Sequence, residues 1–174
     1  SLEPGDNPRV RLLLIAQRKG ISRRSPQFAI LEGAQHRILL LETLKRRIEQ
    51  QRQTAYSSDR HAQLLSKLWR LLMDESVPPV PSEQWKRLGF QGTDPGTDFR
   101  GMGLLGLNHL IAFARKDPNK ALCKEAEQGP YWYSFAIVSI NVTAVIWRLF
   151  VLGRLDPLLF AAIADDDALS HFDG

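Results

Sequence analysis

Seventeen consecutive residues, Tyr131 to Trp147, carry no charged side chain. A run of that kind has to leave water, and its length limits the ways it can do so. A membrane-spanning helix needs roughly 20 apolar residues. Here Ser134, Ser139, Asn141 and Thr143 interrupt the run before Arg148 closes it. It reads as the buried central helix of a globular domain, extending over residues 131–152. The 174 residues suffice for one full domain and are too few for two comfortable ones.

Elsewhere, helix signals recur. Asn7-Pro8 supplies an N-cap and a proline at the first helical position, and Gly20 ends that helix. Ser25-Pro26 opens the next, with Ile30, Leu31, Ile38, Leu39, Leu41 and Leu44 on one apolar stripe. Ser57 or Ser58 can cap a third, with Leu64, Leu65, Leu68, Trp69, Leu71 and Leu72 inward. Val77-Pro78-Pro79-Val80-Pro81 must be extended. Short helices are predicted over 82–88 and 119–127, a longer one from about Asp98 to Arg115, and a last one from Asp156-Pro157 through Ala164. Strand alternation and hairpin dipeptides are absent. The sequence predicts an all-α fold: a single compact domain of about seven to eight helices around the long apolar one, with residues 1–25 as an N-terminal extension carrying a short helix.

Composition excludes several functions. The single cysteine, Cys123, rules out an internal disulfide framework and fits a small core position better than a nucleophile. His36, His61, His109 and His171 show no metal-ligand spacing, so no metal site is expected. The first apolar run, Leu12 to Ala16, is too short for a secretory leader. Residues 1–60 hold 12 Lys and Arg against 6 Asp and Glu, while the remainder is slightly acidic. That basic end suits an acidic partner or anionic headgroups, though Lys45, Arg46, Arg47 and Arg52 read more simply as the wet face of one helix. No aromatic platform accompanies these cations, which argues against nucleic acid.

The segment from Trp85 to Leu107 breaks local rules. Gly101, Gly103 and Gly106 stand where a helix is predicted, and each costs up to ~1 kcal/mol relative to alanine. Close approach of another backbone or of a partner would offset that, and packing explains it as well as function does. With Thr97 or Asp98 as N-cap, Arg100 falls in the first turn, where a cation is disfavoured by roughly 0.3–1 kcal/mol. Local violations gather at functional sites, and a guanidinium at a loop–helix junction can reach into a partner. On chemistry alone, pairing of Arg100 with Asp94 or Asp98 to hold the loop shut is the simpler reading. Gly101 to Gly106 also fits G-x-G-x-x-G, but without the preceding strand a dinucleotide site needs.

The same residues resemble the signature of the ELMO domain family: Trp85-x-x-x-Gly89-Phe90-Gln91, then Asp94-Pro95-x-Thr97-Asp98-Phe99-Arg100-Gly101-x-Gly103-x-x-x-Leu107. Leu68 to Leu72 and Tyr133 to Thr143 extend the resemblance over about residues 30–172. It implies an all-helical fold and, for the smaller members, activation of Arf-family GTPases through an arginine in this signature. Arg100 is then the catalytic candidate, while Trp85, Gly89, Phe90, Gln91, Asp94, Pro95, Asp98, Gly101 and Gly103 shape the loop. The resemblance implies no cofactor of the chain's own, GTP and magnesium arriving with the GTPase, and a cytoplasmic protein peripheral to organelle membranes. Larger members instead scaffold a Rac exchange factor, which leaves a non-catalytic interaction module as the alternative. In the smaller members a further helical segment follows the position of Phe172, whereas this sequence ends at Gly174.

Overall fold

Polar side chains set just ahead of proline start the first two helices. The Asn7 side chain accepts from the Arg9 N–H at 2.9 Å and Pro8 follows it, opening α1 (Pro8–Arg18). The Ser25 hydroxyl accepts from the Phe28 N–H at 3.3 Å at the head of α2 (Pro26–Gln53). Ser57 precedes α3 (Ser58–Leu72) but makes no capping bond through its side chain; its own N–H donates to His61 Nδ1 at 3.0 Å. Two 3-10 helices follow, Glu83–Leu88 and Pro95–Arg100, then α4 (Gly103–Ala114), α5 (Asp117–Gln128), α6 (Phe135–Val151) and α7 (Asp156–Ala162). The computed structural model describes residues 7–73, 75–128 and 132–163, excluding the side chains of 117–120 and 128. Among these residues all regular structure is helical, so the all-α expectation holds. Tyr131, Ala164 and His171 lie outside the described residues.

The chain divides into two compact units. One joins the described residues up to Arg46 with those from Arg154 onward. Leu12, Ala16 and Phe28 form its small buried cluster. Lys45 pairs with Asp156 at 2.6 Å, and the Arg37 guanidinium lies 5.5 Å from the Phe160 ring centroid. Asp156 therefore sits inside α7 and directs its carboxylate to lysine instead of capping the helix. On α2, Leu41 and Leu44 are buried, but Ile30 and Ile38 point to solvent, so the expected stripe is narrower than the sequence suggests.

The second unit, Arg47–Gly153, holds the main core. α3 buries Leu65, Leu68, Trp69 and Leu72, one face at helical spacing. α4 packs against both α3 and α6 and buries Leu105, Leu107, Leu110, Ile111 and Ala114, which makes it the central helix. The expectation that the long apolar run is the buried centre is corrected here. α6 starts only at Phe135 and buries Phe135, Ala136, Ile140, Thr143 and Phe150, while Val138, Val142, Val145, Ile146 and Leu149 are exposed. Its neighbours cover one side, and apolar residues stand on every side of it. No single helix among the described residues is long and apolar enough to cross a membrane.

Arg52, expected on a wet face, is instead part of a latch. It donates to Glu49 from Nε at 3.0 Å and from a terminal nitrogen at 2.6 Å, and its guanidinium lies 4.7 Å from the Trp147 ring centroid. The Trp147 indole N–H donates to the same carboxylate at 3.0 Å. The Arg52 hydrogen bond, helped by those of Gln53 and Trp147 and opposed by burial, lowers the Glu49 carboxyl from its usual 4.5 to about 2. A depressed folded-state value stabilises the fold above the unfolded value and is lost as pH falls through the folded one. Glu49→Gln should therefore lower the melting temperature at about pH 7 and converge with the parent only below about pH 2. A gap between the two that stays constant with pH would show that the latch is not ionic.

Cys123 is buried, and burial, with a lesser contribution from Glu127, pushes its thiol up to about 11. The native protein should resist alkylation at neutral pH and react fully once unfolded, as a timed labelling experiment would record. Rapid native labelling would contradict that placement.

Candidate functional site

Trp85 begins the site, at the bottom. Fully buried, it meets Trp69 edge-on at 5.1 Å between centroids, and its indole N–H donates to the Pro79 carbonyl at 3.0 Å. A row of edge-on contacts continues from Trp85 to Phe90 at 6.2 Å and from Phe90 to Phe99 at 5.7 Å. Between these anchors the chain turns at Gly89, with φ +83°, where an added Cβ would lie 2.3 Å from the Phe135 backbone nitrogen. Only glycine allows the loop to pass that close to the start of α6.

The loop is tied by its own acids. Asp94 caps the second 3-10 helix, accepting from the Gly96 N–H at 2.9 Å, and Pro95 fills the first position and is buried. The Asp98 carboxylate accepts from the Gln91 N–H at 2.8 Å, closing the loop across its width. The Thr97 hydroxyl donates to the Asp94 carbonyl at 2.9 Å. Asp94 and Asp98 are thus spent on backbone N–H groups.

Phe99 is buried and Arg100, the next residue, is exposed. Arg100 Nε donates to the Thr97 carbonyl at 2.8 Å. No ion pair joins Arg100 to Asp94, Asp98 or any other described residue, and no described residue bonds to its two terminal nitrogens. The simpler reading from chemistry, an Arg100 carboxylate pair holding the loop shut, is overturned. So is its helical position: Asp94 caps a separate 3-10 helix, and Arg100 stands at that helix's C-terminal end, where a cation is favoured.

The three glycines after it serve different needs. Gly103 begins α4 with φ +52°, and a Cβ there would stand 2.3 Å from the Arg52 carbonyl and 2.5 Å from that of Thr54. The Leu104 N–H donates to the same Thr54 carbonyl at 2.9 Å. Gly106 is tightly packed, its added Cβ falling 3.2 Å from Met102 Cβ. A Cβ on Gly101 would meet nothing within 4 Å, so packing does not account for it. The G-x-G-x-x-G match follows a 3-10 helix directly, not a strand.

A cleft of about 540 Å³ lies beside Arg100, lined by Gln91, Gly92, Thr97, Asp98 and Arg100 from the loop and by Ile137, Ile140 and Asn141 from α6. The structure thus brings Gln91, Asp98 and Arg100 to one surface and leaves Trp85, Phe90 and Pro95 beneath it as buttresses. Asn141 joins the site unforeseen; its signals are that it is a polar residue within the uncharged run and lies in the Tyr133 to Thr143 stretch of the resemblance. The described histidines form no metal-binding cluster. His109 Nδ1 lies 3.3 Å from Thr143 Oγ1, which itself donates to the Ser139 carbonyl at 3.0 Å, and burial lowers the imidazole's pKa. No cluster of three or more His, Cys, Asp or Glu among the described residues could hold a metal.

The ELMO/CED-12 family profile matches residues 46–169. The chain is similar to ELMO domain-containing protein 1 of Mus musculus, with 36% identity over 171 residues, 85% of this chain and 52% of that protein. It is 38% identical to ELMO domain-containing protein 2 of Homo sapiens over 130 residues, 72% of this chain and 44% of that protein. ELMO domain-containing protein B of Dictyostelium discoideum matches at 40% identity over 64% of this chain and 41% of its own length. The chain spans about half the length, or less, of these relatives. No solved structure gives a significant match. With the profile covering most of its length, including the loop and Arg100, the chain belongs to the ELMO/CED-12 family.

Proposed function

We propose that this chain is a GTPase-activating domain for Arf-family small GTPases, supplying Arg100 in trans. One observation carries the reading: a guanidinium exposed at the end of a tied loop, with both terminal nitrogens unengaged by any described residue. GTP hydrolysis proceeds through a loose transition state whose negative charge is spread over the γ-phosphoryl oxygens. Arg100 can donate to two such oxygens at once while Nε stays fixed to the Thr97 carbonyl, because the guanidinium fork is planar and always charged. The aromatic row under Phe99 and the Asp98 tie keep the loop from yielding when the partner docks. GTP and magnesium belong to the GTPase in this mechanism, and the domain acts in the cytoplasm, at the surface of organelle membranes.

Single-turnover hydrolysis by a panel of GTP-loaded Arf-family proteins, with and without the purified chain, tests the proposal. Acceleration of at least one of them is expected. Binding without acceleration across the whole panel would instead favour a non-catalytic module of the kind that partners a Rac exchange factor.

A further inference from the structure

The catalytic reading leaves the outer face of α6 unused. Val138, Val142, Val145, Ile146 and Leu149 recur at helical spacing on it, and Val145 is 61% exposed. Residues 131–147 carry no charge to make that stripe at home in water. A shallow trough of about 340 Å³ runs along it, lined by Val138, Asn141, Val142, Val145 and Ile146. Asn141 also lines the Arg100 cleft, so the two surfaces are continuous.

We infer that this face is the docking platform for the GTP-bound GTPase that receives Arg100, and that it takes an apolar, uncharged surface beside the partner's nucleotide site. The inference rests on the function proposed above and adds where the partner binds. A guanidinium stands only one side-chain length off its domain, so a protein that takes it up must close on the surrounding surface. A specific interface covers about 800 Å² per partner, a disc of roughly 16 Å radius. Val145 lies four residues from Asn141, about 6 Å along the helix axis, well inside that disc. The stripe therefore meets the partner next to its nucleotide pocket, where the loops ordered by the γ-phosphate lie. Arg148, exposed three residues beyond Val145, is the one charged residue of α6, so apolar contact is most of what the stripe itself can offer; the catalytic contact comes from Arg100.

Val145→Glu and Val145→Lys test this, with Ile30→Glu, at a residue 72% exposed on α2, as control. In a titration of stimulated hydrolysis, both Val145 variants should need about tenfold more protein for half-maximal stimulation, as loss of a central apolar contact does. Their rate at saturation should match the parent, and melting should be unchanged. Ile30→Glu should behave as the parent throughout. Direct binding of Arg100→Ala protein to GTPase loaded with a non-hydrolysable GTP analogue, with and without Val145→Glu, separates the two readings. If Arg100→Ala still stimulates, the catalytic proposal falls, and weaker binding by Val145→Glu would still uphold the platform. Parental half-stimulation by both Val145 variants would overturn the platform and leave Arg100 standing. The platform is equally overturned if weakening follows the sign of the charge. It also fails if the variants only dissociate a dimer, or only release the chain from phosphatidylcholine vesicles, without altering stimulation.

Discussion

Arg100→Ala should abolish stimulation of GTP hydrolysis, lowering the stimulated single-turnover rate by about 10³-fold or more, the range set by trans-acting arginines. The fold should barely register the change. Arg100 is exposed and, among the described residues, forms no ion pair and makes one hydrogen bond, to a backbone carbonyl. Exposed substitutions of this kind stay within about 0.5 kcal/mol, and at this chain length that shifts melting by about 2 °C. Arg100→Lys is the sharper comparison. It keeps the positive charge but replaces a fork that can hold the Thr97 carbonyl and two phosphoryl oxygens together with a point charge. Lysine should therefore recover little of the lost rate. Full activity in the lysine variant would reduce the mechanism to charge alone, and a joint collapse of melting and rate in Arg100→Ala would make the residue structural.

Gly103→Ala, like Gly89→Ala, should be among the most damaging single-methyl changes at the described glycines. Its backbone is left-handed, a conformation that costs a non-glycine residue about 1–2 kcal/mol. The added carbon would also stand 2.3 Å from the Arg52 carbonyl and 2.5 Å from the Thr54 carbonyl, both backbone atoms with no rotamer to yield. Either α4 or the end of α2 must shift, and the Leu104 N–H bond to Thr54 goes with it. A combined loss of about 3–5 kcal/mol places the effect in the upper tail for point substitutions, and melting should fall by about 10 °C. Gly101→Ala serves as the matched control, since a Cβ there meets open space. Equal tolerance at both positions would refute the close approach at Gly103.

Local chemistry was legible where it acts locally. Asn7-Pro8 and Ser25-Pro26 mark helix starts because their side chains reach N–H groups two or three residues ahead. The helical class followed from such signals and from the absence of alternation. Around Arg100 the same logic misassigned the cap, because Asp94, Thr97 and Asp98 are all plausible caps by type. The choice among them was made by Phe99 and Pro95 entering the core, a tertiary event. The reason for Gly103 lies at Arg52 and Thr54, far back in the chain, and spacing gives no sign of it. The orientation of α6 was hidden for a related reason. A helix with apolar residues on every side and few polar ones carries little phase information, so periodicity does not say which side its neighbours cover. Asn141 reached the Arg100 cleft through that same unreadable rotation.

The bond from Arg100 Nε to the Thr97 carbonyl has an entropic consequence. A freely swinging arginine carries about 2 kcal/mol of rotamer freedom that immobilisation removes. Here part of that ordering is already done when the loop folds, so less is lost at the encounter, and a transient, low-affinity complex can still present the side chain in working order. Because the acceptor is main chain, the restraint does not depend on which side chain occupies position 97.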